Sequence, residues 1–221
     1  MRRRSDQMEP IAVLAGTPVD TQMGVDFLVE RGQQPLAFPI SRDPREQTAF
    51  QLLPQAEKHQ AVKTVLEAAQ KQGCNRAFVY CNSLSAAVDF PALARETGLR
   101  IVTPMHVYRH LAGRYQRLGF VAANAQGLSG IERVLLAENP QLDLLGAAAL
   151  PVVLAIEAGE KPEEIVRRCH LAALCDWFDR CGMEALLLGC THFPYIREAL
   201  LAVTDLPIVD PAEEMLRLLL A

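Results

Sequence analysis

Short apolar runs alternate with helical periodicity along most of this chain. The apolar runs are bounded by turn residues such as Gly16-Thr17-Pro18, which is typical of strands that are buried in a parallel sheet. Between residues 55 and 72, apolar side chains recur at three- and four-residue intervals, and Gly73 then supplies a helix stop. This alternation predicts an α/β fold. The predicted strands lie at residues 11–15, 36–40, 76–81, 100–102, 117–122, about 144–146, 184–190 and 207–211.

The pattern of the first half starts again near residue 117. Aligning Gly24 with Gly130 and aligning Cys81 with Cys190 require nearly equal offsets, which indicates an internal duplication. Right-handed crossovers then give two parallel open sheets, whose ligands bind beyond the carboxyl ends of the strands. The sequence therefore predicts two similar lobes with parallel open sheets flanked by helices, related by a pseudo-twofold axis, with the active site in the cleft between them.

The predicted domain boundaries follow from this duplication. Residues 8–102 together with 206–221 form the first lobe, which carries Cys81, and residues 103–205 form the second lobe, which carries Cys190. Within these lobes, residues 123–129 are interpreted as a small polar loop and residues 162 to about 179 as one long helix. Residues 40–48 follow a strand and are interpreted as a loop that overhangs the cleft.

Composition excludes several classes of partner. The 221 residues are 50% apolar, which is enough for a buried core, and the formal net charge of -4 without a long basic run argues against nucleic-acid binding. The longest apolar runs are too short or too interrupted to span a bilayer, and no secretory signal is visible. We therefore expect a cytoplasmic protein that binds a small molecule.

The six cysteines are expected to be reduced in a cytosolic chain. Because neither CxxC nor HExxH occurs, no metal site is predicted. No lysine lies at an apolar strand end, where a Schiff base to pyridoxal phosphate would form, so this cofactor is not expected. Four cysteines are interpreted as packing residues: Cys74, Cys169, Cys175 and Cys181.

Cys81 and Cys190 differ from the other four by their context. Each follows an apolar strand-like run and precedes small polar residues, Asn82 and Ser83 in one case and Thr191 in the other. Two strand-end thiols in matching positions of two lobes would face a ligand from opposite sides. This arrangement suggests proton transfer by two bases.

These motifs carry a resemblance to a known family. Cys-Asn-Ser at residues 81–83 and Gly-Cys-Thr-His-Phe-Pro at residues 189–194 resemble the paired motifs of the aspartate/glutamate racemase superfamily. The opening turn at residues 15–21 resembles the first loop of aspartate racemases, and residues 208–215 resemble the segment that closes glutamate racemases. The resemblance covers almost the whole chain.

The resemblance implies a cofactor-independent racemase of an acidic amino acid, aspartate or glutamate. One cysteine thiolate, Cys81 or Cys190, takes the α-proton, and the other cysteine returns a proton to the opposite face. Backbone N–H groups at helix N-termini are expected to lower the pKa of both thiols. His192 is placed to assist Cys190, and a homodimer is plausible.

The candidate substrate-binding residues come from several loops. Asp20 and Thr21 either line the pocket or cap the following helix. Arg42 or Arg45 is a candidate for a bidentate grip on a side-chain carboxylate. The full set of candidates is Gly16, Thr17, Asp20, Thr21, Arg42, Arg45, Asn82, Ser83, Asn124 and Thr191.

Departures from the family pattern leave the substrate open. The chain has Gly16-Thr17-Pro18 where glutamate racemases have Asp-Ser-Gly, yet it has His192 where aspartate racemases have Glu. A hydantoin racemase or a maleate isomerase would also keep both cysteines, and a small-molecule binder that has lost its chemistry is a further alternative. An arylmalonate-decarboxylase-like lyase is disfavoured by Cys81, because such lyases lack the first cysteine.

Overall fold

The computed structural model describes residues 9–221, so Met8, the expected start of the first lobe, lies outside the described residues. Two four-stranded parallel sheets form the framework, with strand orders β2-β1-β3-β4 and β6-β5-β7-β8. The strands are β1 (Ile11–Ala15), β2 (Pro35–Pro39), β3 (Arg76–Val79), β4 (Arg100–Val102), β5 (Arg117–Ala122), β6 (Asp143–Ala148), β7 (Leu186–Gly189) and β8 (Ile208–Val209). The same strand order in both sheets confirms the predicted pair of similar lobes.

Helices cover the two sheets. They are α1 (Pro18–Glu30), α2 (Pro44–Gln51), α3 (Gln55–Lys71), α4 (Asn82–Ala87), α5 (Phe90–Thr97), α6 (Pro104–Leu111), α7 (Ala125–Glu138), α8 (Leu150–Glu157), α9 (Pro162–Arg168), α10 (Leu171–Arg180), α11 (Arg197–Leu201) and α12 (Ala212–Leu220), with a 3₁₀ turn at Phe193–Ile196. Every residue of β1 and β7 is buried, because helices shield both faces of each sheet.

The two lobes are in direct contact. Helix α4 of the first lobe packs against α7 of the second, and a Cβ atom added at Gly130 would lie only 2.1 Å from the Cβ of Ala86. One apolar core includes Phe78 of β3 and Leu187 of β7. This close approach needs glycine at position 130, and it fixes the carboxyl ends of the two sheets relative to each other.

The tail divides between the lobes in a way that the sequence did not predict. Residues 206–221 were assigned to the first lobe, but β8 pairs in parallel with β7 and so belongs to the second sheet. Helix α12 packs against β3 and β4 of the first sheet. The predicted lobe boundary is therefore wrong for β8 and agrees with the position of α12. The tail crosses from the second sheet to the first between these two elements.

Three local interpretations are also corrected. Residues 162–179 form two helices, α9 and α10, because His170 adopts a left-handed conformation with φ 51° that breaks the helical path. Residues 123–129 are not all loop, since α7 already begins at Ala125. The predicted overhanging loop at residues 40–48 contains the start of α2.

In the part of the chain that the structure describes, no helix has the length and apolar character needed to cross a membrane.

Candidate active site

A cavity lies where the carboxyl ends of the central strands of both sheets meet. Its volume is about 30 Å³, which is room for on the order of two water molecules. Residues from both lobes line it. The predicted site residues among them are Gly16, Thr17, Asp20, Cys81, Asn82, Ser83, Asn124, Cys190, Thr191 and His192.

Both candidate thiols reach this cavity from equivalent places. Cys190 directly follows β7, and Cys81 precedes α4 as its N-cap, two residues after β3. Each cysteine residue is only 5% exposed. The sequence-based expectation of a lowered pKa is corrected for Cys81, because burial and then the Asp20 carboxylate raise the pKa of this thiol more than a backbone N–H at Leu84 lowers it.

Cys190 faces an imidazole that is held by a carboxylate. Nδ1 of His192 lies 3.6 Å from Sγ of Cys190, and Nε2 of His192 lies 2.9 Å from Oε1 of Glu157. Burial alone lowers the pKa of His192, but the charge of Asp20 and the hydrogen bonds to Cys190 and Glu157 outweigh it and hold that pKa well above the usual value. The raised pKa favours the protonated imidazole beside this sulfur, and an imidazolium there can stabilise a thiolate.

Cys81 faces a chain of two uncharged side chains that parallels the His192–Glu157 pair beside Cys190. Oγ of Ser83 lies 3.6 Å from Sγ of Cys81, and Nε2 of Gln51 donates to that hydroxyl oxygen at 2.8 Å. We call Cys81–Ser83–Gln51 the neutral relay and Cys190–His192–Glu157 the ionic relay.

Asp20 joins the two lobes at the floor of the cavity. Its carboxylate accepts hydrogen bonds from Thr191 Oγ1 at 2.7 Å and from the N–H of Gly16 at 3.2 Å. Nδ1 of His192 is 3.7 Å away. Burial raises the pKa of Asp20, although His192 and these hydrogen bonds partly offset the shift.

Thr21 lies outside the cavity. Its hydroxyl donates to the main-chain oxygen of Thr17 at 2.7 Å, within the first turn of α1. The sequence left open whether Thr21 lines the pocket or belongs to the start of the helix. In the structure it belongs to the start of α1 and does not line the cavity.

The two candidate arginines also lie outside the cavity. The Arg42 side chain is 88% exposed and pairs with Glu46, and Arg45 is exposed. The cause is the start of α2, where the Asp43 side chain accepts from the N–H groups of Arg45 and Glu46 and turns both arginines outward. Neither arginine lines the cavity, and a contact of either one with a substrate stays a prediction.

Helix α2 instead contributes three polar residues that sequence reasoning missed: Gln47, Thr48 and Gln51. The signal was present, because Asp43 and Pro44 followed by Glu46 form an N-cap, an N1 proline and an N3 glutamate. Glu157 was missed as well. It is the last residue of α8.

Two buried amide donors at the cavity have no protein partner. Among residues 9–221, Nε2 of Gln47 and Nδ2 of Asn82 make no hydrogen bond, while their oxygens accept from the hydroxyls of Ser41 and Tyr108 respectively. An unsatisfied buried donor costs about 1–3 kcal/mol, so a bound group that accepts these hydrogen bonds would be stabilised.

The described residues 9–221 contain no group of three or more His, Cys, Asp or Glu side chains that could hold a metal ion.

Comparisons with known proteins identify the family of this chain. A model of the family described as Asp/Glu/Hydantoin racemase matches residues 31–219. A glutamate racemase of Limosilactobacillus reuteri is 29% identical over 106 residues, 47% of this chain and 39% of that protein, and one of Acidothermus cellulolyticus is 28% identical over 166 residues, 73% and 63% respectively. The match thus spans about two fifths of the first relative's length and less than two thirds of the second's.

Solved structures share the fold. Glutamate racemase from Francisella tularensis in complex with D-glutamate superimposes with a TM-score of 0.73 at 20% identity, covering 96% of this chain and 81% of that one. An aspartate racemase homologue from Pyrococcus horikoshii gives 0.66 at 16% identity, covering 96% and 98%. Since the family match extends over most of the sequence, the chain belongs to the Asp/Glu/Hydantoin racemase family.

Proposed function

We propose that the protein is a cofactor-independent racemase of an acidic amino acid, aspartate or glutamate, that uses Cys81 and Cys190 as its two bases. The observation that carries this proposal is the pairing of two thiols from equivalent strand ends on one cavity, each with a hydrogen-bonding group 3.6 Å from its sulfur. The names of the relatives support the reaction class, and the bound D-glutamate of the Francisella enzyme supports the substrate class.

The two relays suggest how the proton moves. Nδ1 of His192 faces the sulfur of Cys190, which we propose as the first proton acceptor, while Cys81, buried beside the Asp20 carboxylate, keeps its proton as the thiol. Cys190 takes the α-proton of one enantiomer and becomes a thiol, and Cys81 gives its proton to the opposite face of the carbanion-like centre. The product enantiomer leaves Cys81 as the thiolate, so the reverse reaction starts from that state.

The polar groups of the cavity suggest which of them bind the ammonium group of the substrate and which bind its carboxylates. Asp20, paired with Thr191, is the group that meets the substrate ammonium. The unpartnered N–H groups of Asn82 and Gln47 donate to carboxylate oxygens, which replaces the arginine grip expected from the sequence. An acidic substrate is then held by neutral donors, since His192 is the only basic residue on the cavity wall in the described chain.

Substrate entry requires a movement. A cavity of about 30 Å³ is smaller than an amino acid, and Gln51 spans it by bonding Ser83 in one lobe and Asn124 in the other. We propose that α2 swings outward, breaks the Asn124 contact and closes again over the bound substrate.

The uncharged amide donors of the wall also favour a second candidate, a hydantoin racemase. A hydantoin ring has carbonyl oxygens that could accept from Gln47 and Asn82, and it needs no cationic partner. Both candidates use the same two thiols, so the choice depends on the substrate assay.

The test is chiral analysis of the purified protein after incubation, without added cofactor, with each enantiomer of aspartate, glutamate and a 5-substituted hydantoin. Racemisation of aspartate or glutamate supports the first candidate, and racemisation of the hydantoin alone supports the second. No reaction with any of them, with both thiols reduced, would contradict the proposal. Sedimentation of the same sample tests the homodimer, which stays a prediction.

A further inference from the structure

Gln51 and Glu157 occupy equivalent positions in the two lobes. Each is the last residue of an eight-residue helix, α2 or α8, and each helix follows the edge strand beside the central strand of its sheet. The offset between them equals the offset between Gly24 and Gly130. The two residues are therefore counterparts within the internal duplication.

Their contacts toward the thiols are also equivalent. Ser83 and His192 each stand two residues after a cysteine, and each has a polar atom 3.6 Å from the sulfur. Gln51 holds Ser83 at 2.8 Å, and Glu157 holds His192 at 2.9 Å.

A second pair of contacts crosses between the lobes. Asn124, the N-cap of α7, donates to Oε1 of Gln51 at 3.1 Å, and Thr17, the N-cap of α1, donates to Oε1 of Glu157 at 2.6 Å. Each helix-end residue is thus fixed by its own lobe and by the opposite lobe. The equivalence extends to four hydrogen bonds, which a chance contact of a surface glutamine would not reproduce.

The direction of the Gln51 hydrogen bond has a chemical consequence. Because the amide N–H donates to Oγ of Ser83, the hydroxyl proton of Ser83 is left free to donate to Sγ of Cys81. On the other side, a carboxylate accepts from Nε2 of His192 and leaves Nδ1–H to donate to Cys190. Both relays end in a donor at sulfur, but only one of them carries charge.

Few charges act on the neutral relay. The Asp20 carboxylate of α1 and Cys190 face Cys81. On the outer side, Nζ of Lys58 in α3 donates to the main-chain oxygen of Gln51 at 3.2 Å, which fixes the end of α2 without touching the thiol.

We propose that Gln51 is the positioning residue of the first thiol, orienting the Ser83 hydroxyl as a donor to Cys81 as Glu157 orients His192 toward Cys190. Its part in turnover rests on the proposed function. The orientation itself is independent of turnover, because the reactivity of a thiol reports its thiolate fraction.

The test is the rate of alkylation of Cys81 and Cys190 by iodoacetamide, measured by peptide mass spectrometry between about pH 6 and 10. Gln51→Ala removes the donor to Ser83, and Gln51→Glu reverses the relay, since a carboxylate only accepts and draws the Ser83 hydroxyl away from sulfur. We expect the Cys81 rate to fall about tenfold in Gln51→Ala and further in Gln51→Glu, with Cys190 changed less than about twofold. Gln55→Ala, an exposed glutamine just beyond α2, is the matched control and should leave both rates unchanged.

A double substitution separates positioning from a merely structural role. In a protein that already carries Ser83→Ala, Gln51→Ala should not lower the alkylation rate of Cys81 further, because the hydroxyl that links Gln51 to the sulfur is absent. An unchanged Cys81 rate in Gln51→Glu, or an equal fall at both cysteines, would overturn the proposal.

The outcomes also distinguish this inference from the proposed function. The expected change in reactivity, in a protein that racemises none of the substrates tested, would retain the positioning role and reject the racemase. If the protein racemises a substrate but the alkylation rate of Cys81 does not change in the Gln51 variants, the racemase is retained and the positioning role of Gln51 is rejected.

Discussion

The two lobes share the same backbone arrangement around their cysteines but differ in the charge of the side chains beside each sulfur. Both have the same strand order, the same short helix after the edge strand, and a residue two positions after the cysteine that meets its sulfur. The first lobe supplies the uncharged pair Ser83 and Gln51, and the second supplies His192 and Glu157. The difference teaches that the duplication sets where the two cysteines lie, while the side chains around them give each thiol a different electrostatic environment.

The largest expected effect comes from removing either base. Cys81→Ser and Cys190→Ser should each lower kcat/KM for racemisation by about 10²–10⁴-fold, which is the usual contribution of a positioned proton donor or acceptor. Steady-state rates measured from both enantiomers check this. Cys74→Ser, a buried cysteine away from the cavity, is the control. Full activity in either of the first two variants would mean that the lobes do not act as a pair.

The next effect removes the charge from the ionic relay. In Glu157→Gln the carboxylate that helps to raise the pKa of His192 is gone, so that pKa should fall. The imidazolium is present below this pKa and is lost as pH rises through it, so the alkaline limb of the pH profile should move to lower pH. We expect kcat to fall about 10- to 100-fold at neutral pH when Cys190 is the base, by analogy with the loss of one hydrogen bond to a charged group.

The pH profile of kcat/KM in both directions is the measurement for Glu157→Gln. An alkaline limb that stays in place, or moves upward, would show that Glu157 does not govern the charge on His192.

A smaller effect concerns the substrate rather than the bases. Gln47→Glu places a buried negative charge where we propose that a substrate carboxylate binds, so KM for an acidic substrate should rise about 10- to 100-fold through like-charge repulsion. Gln55→Glu at an exposed position adds the same charge as a control. A KM that rises equally in both variants would reject a specific contact at Gln47.

The smallest effect is expected at the exposed arginines. Arg42→Ala and Arg45→Ala should each change kcat/KM less than about twofold, because both side chains lie outside the cavity and surface ion pairs contribute little. A tenfold rise in KM in either variant would show that α2 rearranges on closure to bring an arginine to the substrate.

The framework could be predicted because its signal is local and repeated. Apolar runs such as Ile11–Ala15 and Arg117–Ala122 mark strands directly, and the two cysteines follow such runs. Once the strands are parallel, their ends share one edge, so Cys81 and Cys190 had to lie near a common cleft. The duplication accounts for the rest of the topology, including Ile208–Val209 as the counterpart of β4 in the second sheet, whereas the predicted lobe boundary had put this strand in the first lobe.

The relays could not be predicted because they join residues far apart in sequence. Gln51 meets Ser83 and Asn124, and Glu157 meets His192 and Thr17, through contacts that no periodicity encodes. The positions of Arg42 and Arg45 depend on a local signal, since the N-cap at Asp43 is readable from the sequence and the helix that it starts holds both side chains at the surface.

The central claim is that two bases act from opposite faces, and deuterium incorporation tests it most directly. Each enantiomer of the substrate is incubated in D2O, and product and remaining substrate are separated and analysed by mass at early conversion. The account predicts deuterium at the α-carbon of the product and protium in the recovered substrate, because the returning proton comes from the second, solvent-exchanged thiol. Exchange of the recovered substrate as fast as product forms would show that a single base serves both faces and would contradict the account.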